Sequence, residues 1–267
     1  MSLIKTSSVK TANISNIFAS IQGEGAYLGC PQIFLRFTGC NLRCRYCDTP
    51  ESLSPQALAK IEQTPFSNES KLISNPLSIP TIIDSVTELK QKCGYFHSIA
   101  LTGGEPLVHF PFLPDFLPEL EKLSLPIFLE TNGSLPENLE KIIQFIDIVS
   151  VDIKNPADLV KGGITLEKIE SFLRLSLQKE CYVKIVVTSS TVVRPSAHDE
   201  LDLSFFSSIA SMLEKVNVSL PIILQPEFSY NTYYLNGSLL FKVYELFNKS
   251  LKNVRIIPQV HKLACWK

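Results

Sequence analysis

Short apolar runs alternate along this chain with stretches in which apolar residues recur at helical spacing. The runs Gln32–Phe37, His97–Leu101, Pro126–Glu130, Ile148–Ile153, Tyr182–Thr188, Pro221–Leu224 and Val254–Ile257 are mostly rich in Ile, Val, Leu and Phe. That is the composition of strands buried on both faces. Between them, Ile82, Val86 and Leu89 share one helical face, as do Leu139, Ile142, Ile143 and Ile146. The pattern returns at Leu166, Ile169, Phe172 and Leu173, at Phe206, Ile209 and Leu213, and at Leu240, Val243, Leu246 and Phe247. Pro136 suits the first turn of its helix, with Ser134 nearby as a cap. The alternation predicts an α/β fold whose parallel strands are joined by right-handed crossovers. About six such units make an open, partial β/α barrel rather than the full eight. One domain over residues 1–267 is expected. Two stretches break the pattern. Ile14–Ile21 predicts an extra N-terminal strand leading into a Gly-rich turn. Residues 50–80 carry five prolines and many Ser and Asn, which predicts a loop-rich insertion with one short helix near Gln56–Glu62.

At 267 residues and 45% hydrophobic content the chain can bury a substantial core. Lys+Arg 25 against Asp+Glu 26 leaves a formal net charge of -1, so no broad positive field invites nucleic acid. No apolar run approaches the ~20 residues a membrane span requires, and the N-terminal stretch lacks the layout of a secretion signal. A cytoplasmic protein is expected, with neither nucleic acid nor membrane as partner. Seven cysteines, three of them crowded between Cys40 and Cys47, fit metal ligation in a reducing compartment better than a disulfide framework. Cys30, Cys93, Cys181 and Cys265 are expected to be ordinary.

The segment Gly39-Cys-Asn-Leu-Arg-Cys-Arg-Tyr-Cys-Asp-Thr49 lets one tight loop aim Cys40, Cys44 and Cys47 at a single point. Structural zinc wants four closed ligands, and no fourth Cys or His lies at finger spacing. Three thiolates around a four-iron cluster leave one iron open to a further ligand. Polar motifs close the predicted strands: LTGGEP, LETNG, SVDIK, LQPE and IPQVHK. In such folds chemistry gathers at the carboxyl ends of the strands.

CNLRCRYC has the C-x3-C-x2-C arrangement of the radical S-adenosylmethionine superfamily, and Thr102-Gly-Gly-Glu-Pro106 resembles its Gly-Gly-Glu-Pro element. The resemblance implies a radical-SAM-type partial barrel, a [4Fe–4S] cluster on the three cysteines, and S-adenosylmethionine on the open iron. Over nearly the whole chain the sequence is similar to the 7-carboxy-7-deazaguanine synthase family. Phe18-Ala-Ser-Ile-Gln-Gly-Glu-Gly25 looks like that family's entry motif, which implies substrate contacts at Ile21, Gln22, Gly23 and Glu24; a plain Gly-rich hairpin turn is the alternative. Arg36 matches a substrate-binding arginine whose guanidinium would fork onto a carboxylate, the alternative being a surface charge. Thr102 corresponds to a substrate-contacting threonine.

For the cofactor, the resemblance implies contacts at Tyr46, Cys47 and Asp48, at Gly104 and Glu105, and at Asn132 within Glu130-Thr-Asn132. It adds Ser150 and the segment Gln225, Pro226, Glu227 and Phe228. It also implies Mg2+ at Thr49, hard-oxygen chemistry beside Asp48; Asp48 could instead cap a turn. Where the family continues Ser-Pro-Lys, this chain has Ser150-Val-Asp-Ile-Lys154, so Asp152 and Lys154 are either cofactor contacts or a structural ion pair. Pro258-Gln-Val-His261 resembles the family's Gln-x-His ending, which implies substrate contacts at His261 and at the carboxylate of Lys267. The insertion over 50–80 and a fuller helix near Thr165–Leu177 depart from the family.

The implied activity is conversion of 6-carboxy-5,6,7,8-tetrahydropterin to 7-carboxy-7-deazaguanine with loss of ammonia, on the route to queuosine and other 7-deazapurines. It implies a flavodoxin-like electron donor, a homodimer, and regeneration of S-adenosylmethionine after hydrogen abstraction at C6. The rivals are a glycyl-radical-enzyme activating enzyme and a non-catalytic iron–sulfur or zinc module. Neither would need the entry motif together with the Gln-x-His ending and the polar residues on successive strand ends.

Overall fold

Seven parallel strands, largely buried except for the edge strand at Val254–Ile256, form the frame of a computed structural model that describes residues 10–188, 192–194, 200–229, 232–233 and 237–264. Numbered along the chain, the main sheet contains β1 (Ile14–Ile21), β2 (Pro31–Phe37), β3 (Leu58–Glu62), β4 (Ser70–Ser74) and β5 (Ser98–Gly103). It continues with β6 (Ile127–Thr131), β7 (Ile148–Ile153), β8 (Glu180–Val187), β9 (Ile222–Pro226) and β10 (Val254–Ile256). Across the sheet the order is β10-β9-β8-β7-β6-β5-β2-β1-β3-β4. From β2 to β10 every neighbouring pair is parallel, which accounts for the continuous Ile/Val/Leu runs.

A helix lies in each crossover: α1 (Ile79–Lys92), α2 (Leu113–Glu121), α3 (Pro136–Glu140), α4 (Leu166–Ser176), α5 (Ser204–Val216) and α6 (Gly237–Asn248). Six strand–helix units are thus present, and the sheet is open. Residues alternating along each strand separate two cores. Ile33, Leu35, Ile99, Leu101 and Val183 face the helices. Phe18, Phe34, Ala100, Phe128, Ile148, Tyr182 and Ile223 form the inner cluster. Among the described residues no helix is long and apolar enough to cross a membrane.

The insertion departs from its loop-rich expectation. The segment expected to be a short helix is strand β3, pairing parallel to β1 (Asn16↔Lys60, Ile17↔Ile61) and antiparallel to β4. Strand β1 would otherwise leave a row of backbone groups unpaired at the sheet edge. The Glu62 carboxylate adds a bond, accepting the Ala19 N–H at 2.7 Å. Helix α2 had no sequence expectation, because Pro114 and Pro118 hide its period; Pro114 stands in the first turn, where no N–H is missed. The apolar set Leu139–Ile146 is buried, but as the five-residue α3 followed by a 3-10 turn at Ile143–Phe145. Ser134 does not cap α3: its hydroxyl bonds Asn132 Oδ1 and accepts from Asn41.

Candidate active site

The cysteine loop leaves the carboxyl end of β2 and is held largely by backbone. Arg43–Cys44 pairs antiparallel with Leu159–Lys161. The Arg43 guanidinium donates to the carbonyls of Cys40 at 2.7 Å, Leu42 at 2.8 Å and Leu53 at 3.2 Å. The loop's other support is the turn after β5, where Glu105 N donates to Gly39 O at 2.9 Å. A Cβ at Gly104 would stand 2.0 Å from that same oxygen, so only glycine allows the two backbones to meet. Burial raises the Cys40 thiol and pushes the Cys44 thiol up to about 11; iron ligation would remove those protons.

Beneath the loop, Glu105 is 1% exposed. Its carboxylate accepts the Asn132 N–H at 2.7 Å, the Thr131 hydroxyl at 2.9 Å and the Leu107 N–H at 3.1 Å. Burial pushes it up to about 7 against the pull of those backbone N–H groups. Asn132 in turn donates to Asn41 Oδ1 at 3.0 Å. The ends of β5 and β6 are therefore stitched to the cysteine loop.

These elements rim a cavity of about 570 Å³. It contains Ile21, Gln22, Gly23, Glu24, Arg36, Cys40, Cys44, Tyr46, Cys47, Asp48, Thr49, Thr102, Gly104, Asn132, Ser150, Asp152, Lys154, Gln225, Glu227, Phe228 and His261 in its lining. The residues expected from sequence to act together are thus brought together. Two are not on the wall: Glu105 lies under it, and Pro226 is buried in β9. Lys267 and Trp266 lie outside the described residues. Gln225 Oε1, Asp152 Oδ1 and the Tyr46 hydroxyl are buried without a hydrogen-bond partner among the described residues. Orphaned buried polar atoms around one cavity are the mark of a polar ligand, and they fit a cofactor bearing amine, carboxylate and hydroxyl groups.

Charged side chains also build the cavity wall. Glu130 accepts from Gln22 Nε2 at 2.8 Å and from the Thr102 hydroxyl at 2.6 Å. Arg36 lies over the Phe18 ring, 5.5 Å from its centroid, and Phe18 stacks on Phe34. Glu24 pairs with Lys184, accepts from Gln259 Nε2 at 2.7 Å, and lies 3.7 Å from His261 Nδ1. Burial would raise Glu24, but Lys184 and His261 overrule it and hold the carboxyl at about 2. Lys184 also reaches Asp152 at 3.2 Å, and Asp152 pairs with Lys154 at 2.7 Å. The expected ion pair exists, and it belongs to a longer chain on the cavity wall.

The C-terminal helix α7 (Val260–Ala264) closes this part of the wall. Val260 N donates to Gly23 O at 2.9 Å, and a Cβ on Gly23 would stand 2.4 Å from His261 Cβ. Glu24, Asp48 and His261 bring ligand atoms within 4.8 Å of one another, beside Thr49. Sequence reasoning missed Lys184 altogether and named Glu130 without its bridging role. No local signal marks Lys184, which stands in CYVKIVV like any strand lysine.

The model of the radical SAM superfamily matches residues 34–202. The chain is 35% identical over 254 residues to 7-carboxy-7-deazaguanine synthase of Geobacter sulfurreducens, covering 94% of this chain and 96% of that one. It is 34% identical to the synthase of Methanopyrus kandleri, covering 94% and 93%. Among solved structures, QueE from Escherichia coli aligns over 94% of this chain and 95% of its own, with a TM-score of 0.60 and 18% identity, a likeness of fold. The chain belongs to the radical S-adenosylmethionine superfamily and, within it, to the 7-carboxy-7-deazaguanine synthase family.

Proposed function

We propose that this chain converts 6-carboxy-5,6,7,8-tetrahydropterin to 7-carboxy-7-deazaguanine with loss of ammonia, within 7-deazapurine (queuosine) biosynthesis. The observation that carries the reading is one cavity whose wall combines three sulfur donors with a guanidinium, carboxylates and amides. Cys40, Cys44 and Cys47 would hold the [4Fe–4S] cluster. Gly104, Asn132, Ser150, Asp152, Lys154 and the Gln225–Phe228 segment would hold S-adenosylmethionine, with Glu105 fixing the turn beneath it. When bound, this pair would supply the hydrogen-atom abstraction chemistry that the reaction at the pterin requires.

The chain's own residues bind, orient and shield. Arg36 would carry a cation toward the substrate carboxylate from its place over the Phe18 ring. Thr49 would share that carboxylate through Mg2+, which keeps waters and divides its ligands between protein and substrate. Glu130 and Glu24 present acceptors to the N–H edge of the pterin, with Gln22 orienting Glu130. Helix α7, brought against Gly23, would exclude water from the ring. Correct placement of this kind supplies several kcal/mol of a barrier, on the order of 7–11 where alignment is complete.

A flavodoxin-like donor and a homodimer belong to the same reading, as does a single domain over residues 1–267. The test is anaerobic incubation of cluster-loaded protein with the tetrahydropterin, S-adenosylmethionine, reductant and Mg2+. Mass spectrometry should find the deazaguanine, with a dependence on Mg2+. Cofactor cleavage to 5′-deoxyadenosine without that product would favour an activating enzyme instead.

A further inference from the structure

Lys184 lies on β8, where its backbone pairs with Asp152 on one side and Ile223 on the other. Its side chain is 15% exposed and lines the cavity. A lone buried ammonium is costly, and here it is met by Glu24 and Asp152, with the Glu130 charge also acting on it. Glu24 is faced in turn by Lys184, Gln259 and His261. Glu24 stands in the N-terminal turn, 160 residues from Lys184, so this contact fixes the turn to the middle of the barrel.

Ion pairs of this kind add little stability over a well-packed apolar replacement. Their value in this place is geometric. Gln259 and Lys184 occupy opposite oxygens of the Glu24 carboxylate, which fixes its plane, while a carboxylate retains further lone-pair sites. We propose that Lys184 is a positioning residue: it holds the Glu24 carboxylate oriented as an acceptor for the substrate's N–H groups. This rests on the pterin reading above. Lys184 acts through Glu24 and not on the reacting atoms.

The experiment uses cluster-loaded full-length protein, with product followed by mass spectrometry as the tetrahydropterin is varied. Lys184→Met should raise KM for the pterin by about 10- to 100-fold, the worth of a hydrogen bond to a charged group. The loss should fall on KM more than on kcat, and Lys184→Arg should recover part of it. Glu24→Gln with Lys184→Met should raise KM no more than Glu24→Gln alone. That double variant removes one charge of each sign, so it stands as the test if Lys184→Met alone fails to fold. Additive losses in the double variant, or an unaltered KM in Lys184→Met, would overturn the inference while leaving the activity standing. A loaded wild-type protein that makes no product would overturn the activity and the inference with it.

Discussion

Two parts of the cavity wall are held by different contacts. Around the cysteine loop, each contact has at least one backbone or amide partner: Glu105 N to Gly39 O, Asn132 N to the Glu105 carboxylate, Asn132 to Asn41, and the Arg43 guanidinium to the carbonyls of Cys40, Leu42 and Leu53. Around Glu24 they run through charged groups contributed by remote parts of the chain: Glu24 with Lys184, Lys184 with Asp152, Gln259 with Glu24. A backbone-held site is specified by turns and tolerates few changes of shape. A charge-held site is specified by pairs and tolerates few changes of sign.

The sharpest test of this contrast is Gly104→Ala. The new methyl would stand 2.0 Å from Gly39 O, and backbone cannot yield as a flexible side chain can. A loss of about 3 kcal/mol is expected, with a collapse of iron and sulfide incorporation after anaerobic reconstitution. Normal cluster loading in this variant would show that the two turns do not depend on each other. Next in size is Glu105→Gln. An amide replacing an acceptor-only group would point N–H toward one of the donors that Glu105 now satisfies. Denaturant unfolding should report a loss of about 2 kcal/mol.

The same contrast explains what was legible before any coordinates. The cysteine loop, Thr102–Pro106 and Glu130–Asn132 are contiguous motifs whose glycines and spacing carry their own geometry, and all of them reach the cavity or its supporting layer. The parallel frame was legible for a similar reason, since strands buried on both faces show as unbroken apolar runs. Lys184 was not legible. Its meaning comes from Glu24, far away in sequence, and from Asp152 across a strand pair. Strands β3 and β4 were hidden because only one face of β3 is consistently buried, and Lys60, Ser70 and Ser74 dilute the alternation. Helix α2 was masked by prolines that its first turn and one broken bond accommodate.

Around Glu24 a steric change should act on binding and spare the cluster. In Gly23→Ala the added Cβ would meet His261 Cβ at 2.4 Å, and α7 is a short terminal helix that can move away. The expectation is a roughly tenfold loss in kcat/KM, equivalent to about 1.4 kcal/mol, with iron content as in the parent. Loss of iron in this variant would erase the distinction between the two parts of the wall.

The smallest effect is electrostatic. The Glu24 carboxyl lies at about 2 in the folded chain against an ordinary 4.5, because Lys184 and His261 outweigh burial. The folded state therefore binds this proton less readily than the unfolded one. Its stabilising share is whole above pH 4.5 and drains away as pH falls through about 2. Only the top of that window is accessible before general acid unfolding, so the change between pH 5 and pH 4 should stay under about 1 kcal/mol. Subtracting the urea stability of Glu24→Gln from that of the parent at each pH isolates it from other carboxylates. The difference should shrink toward acid. If it stays flat, folding leaves the proton affinity of Glu24 unchanged, and Lys184 and His261 do not outweigh burial.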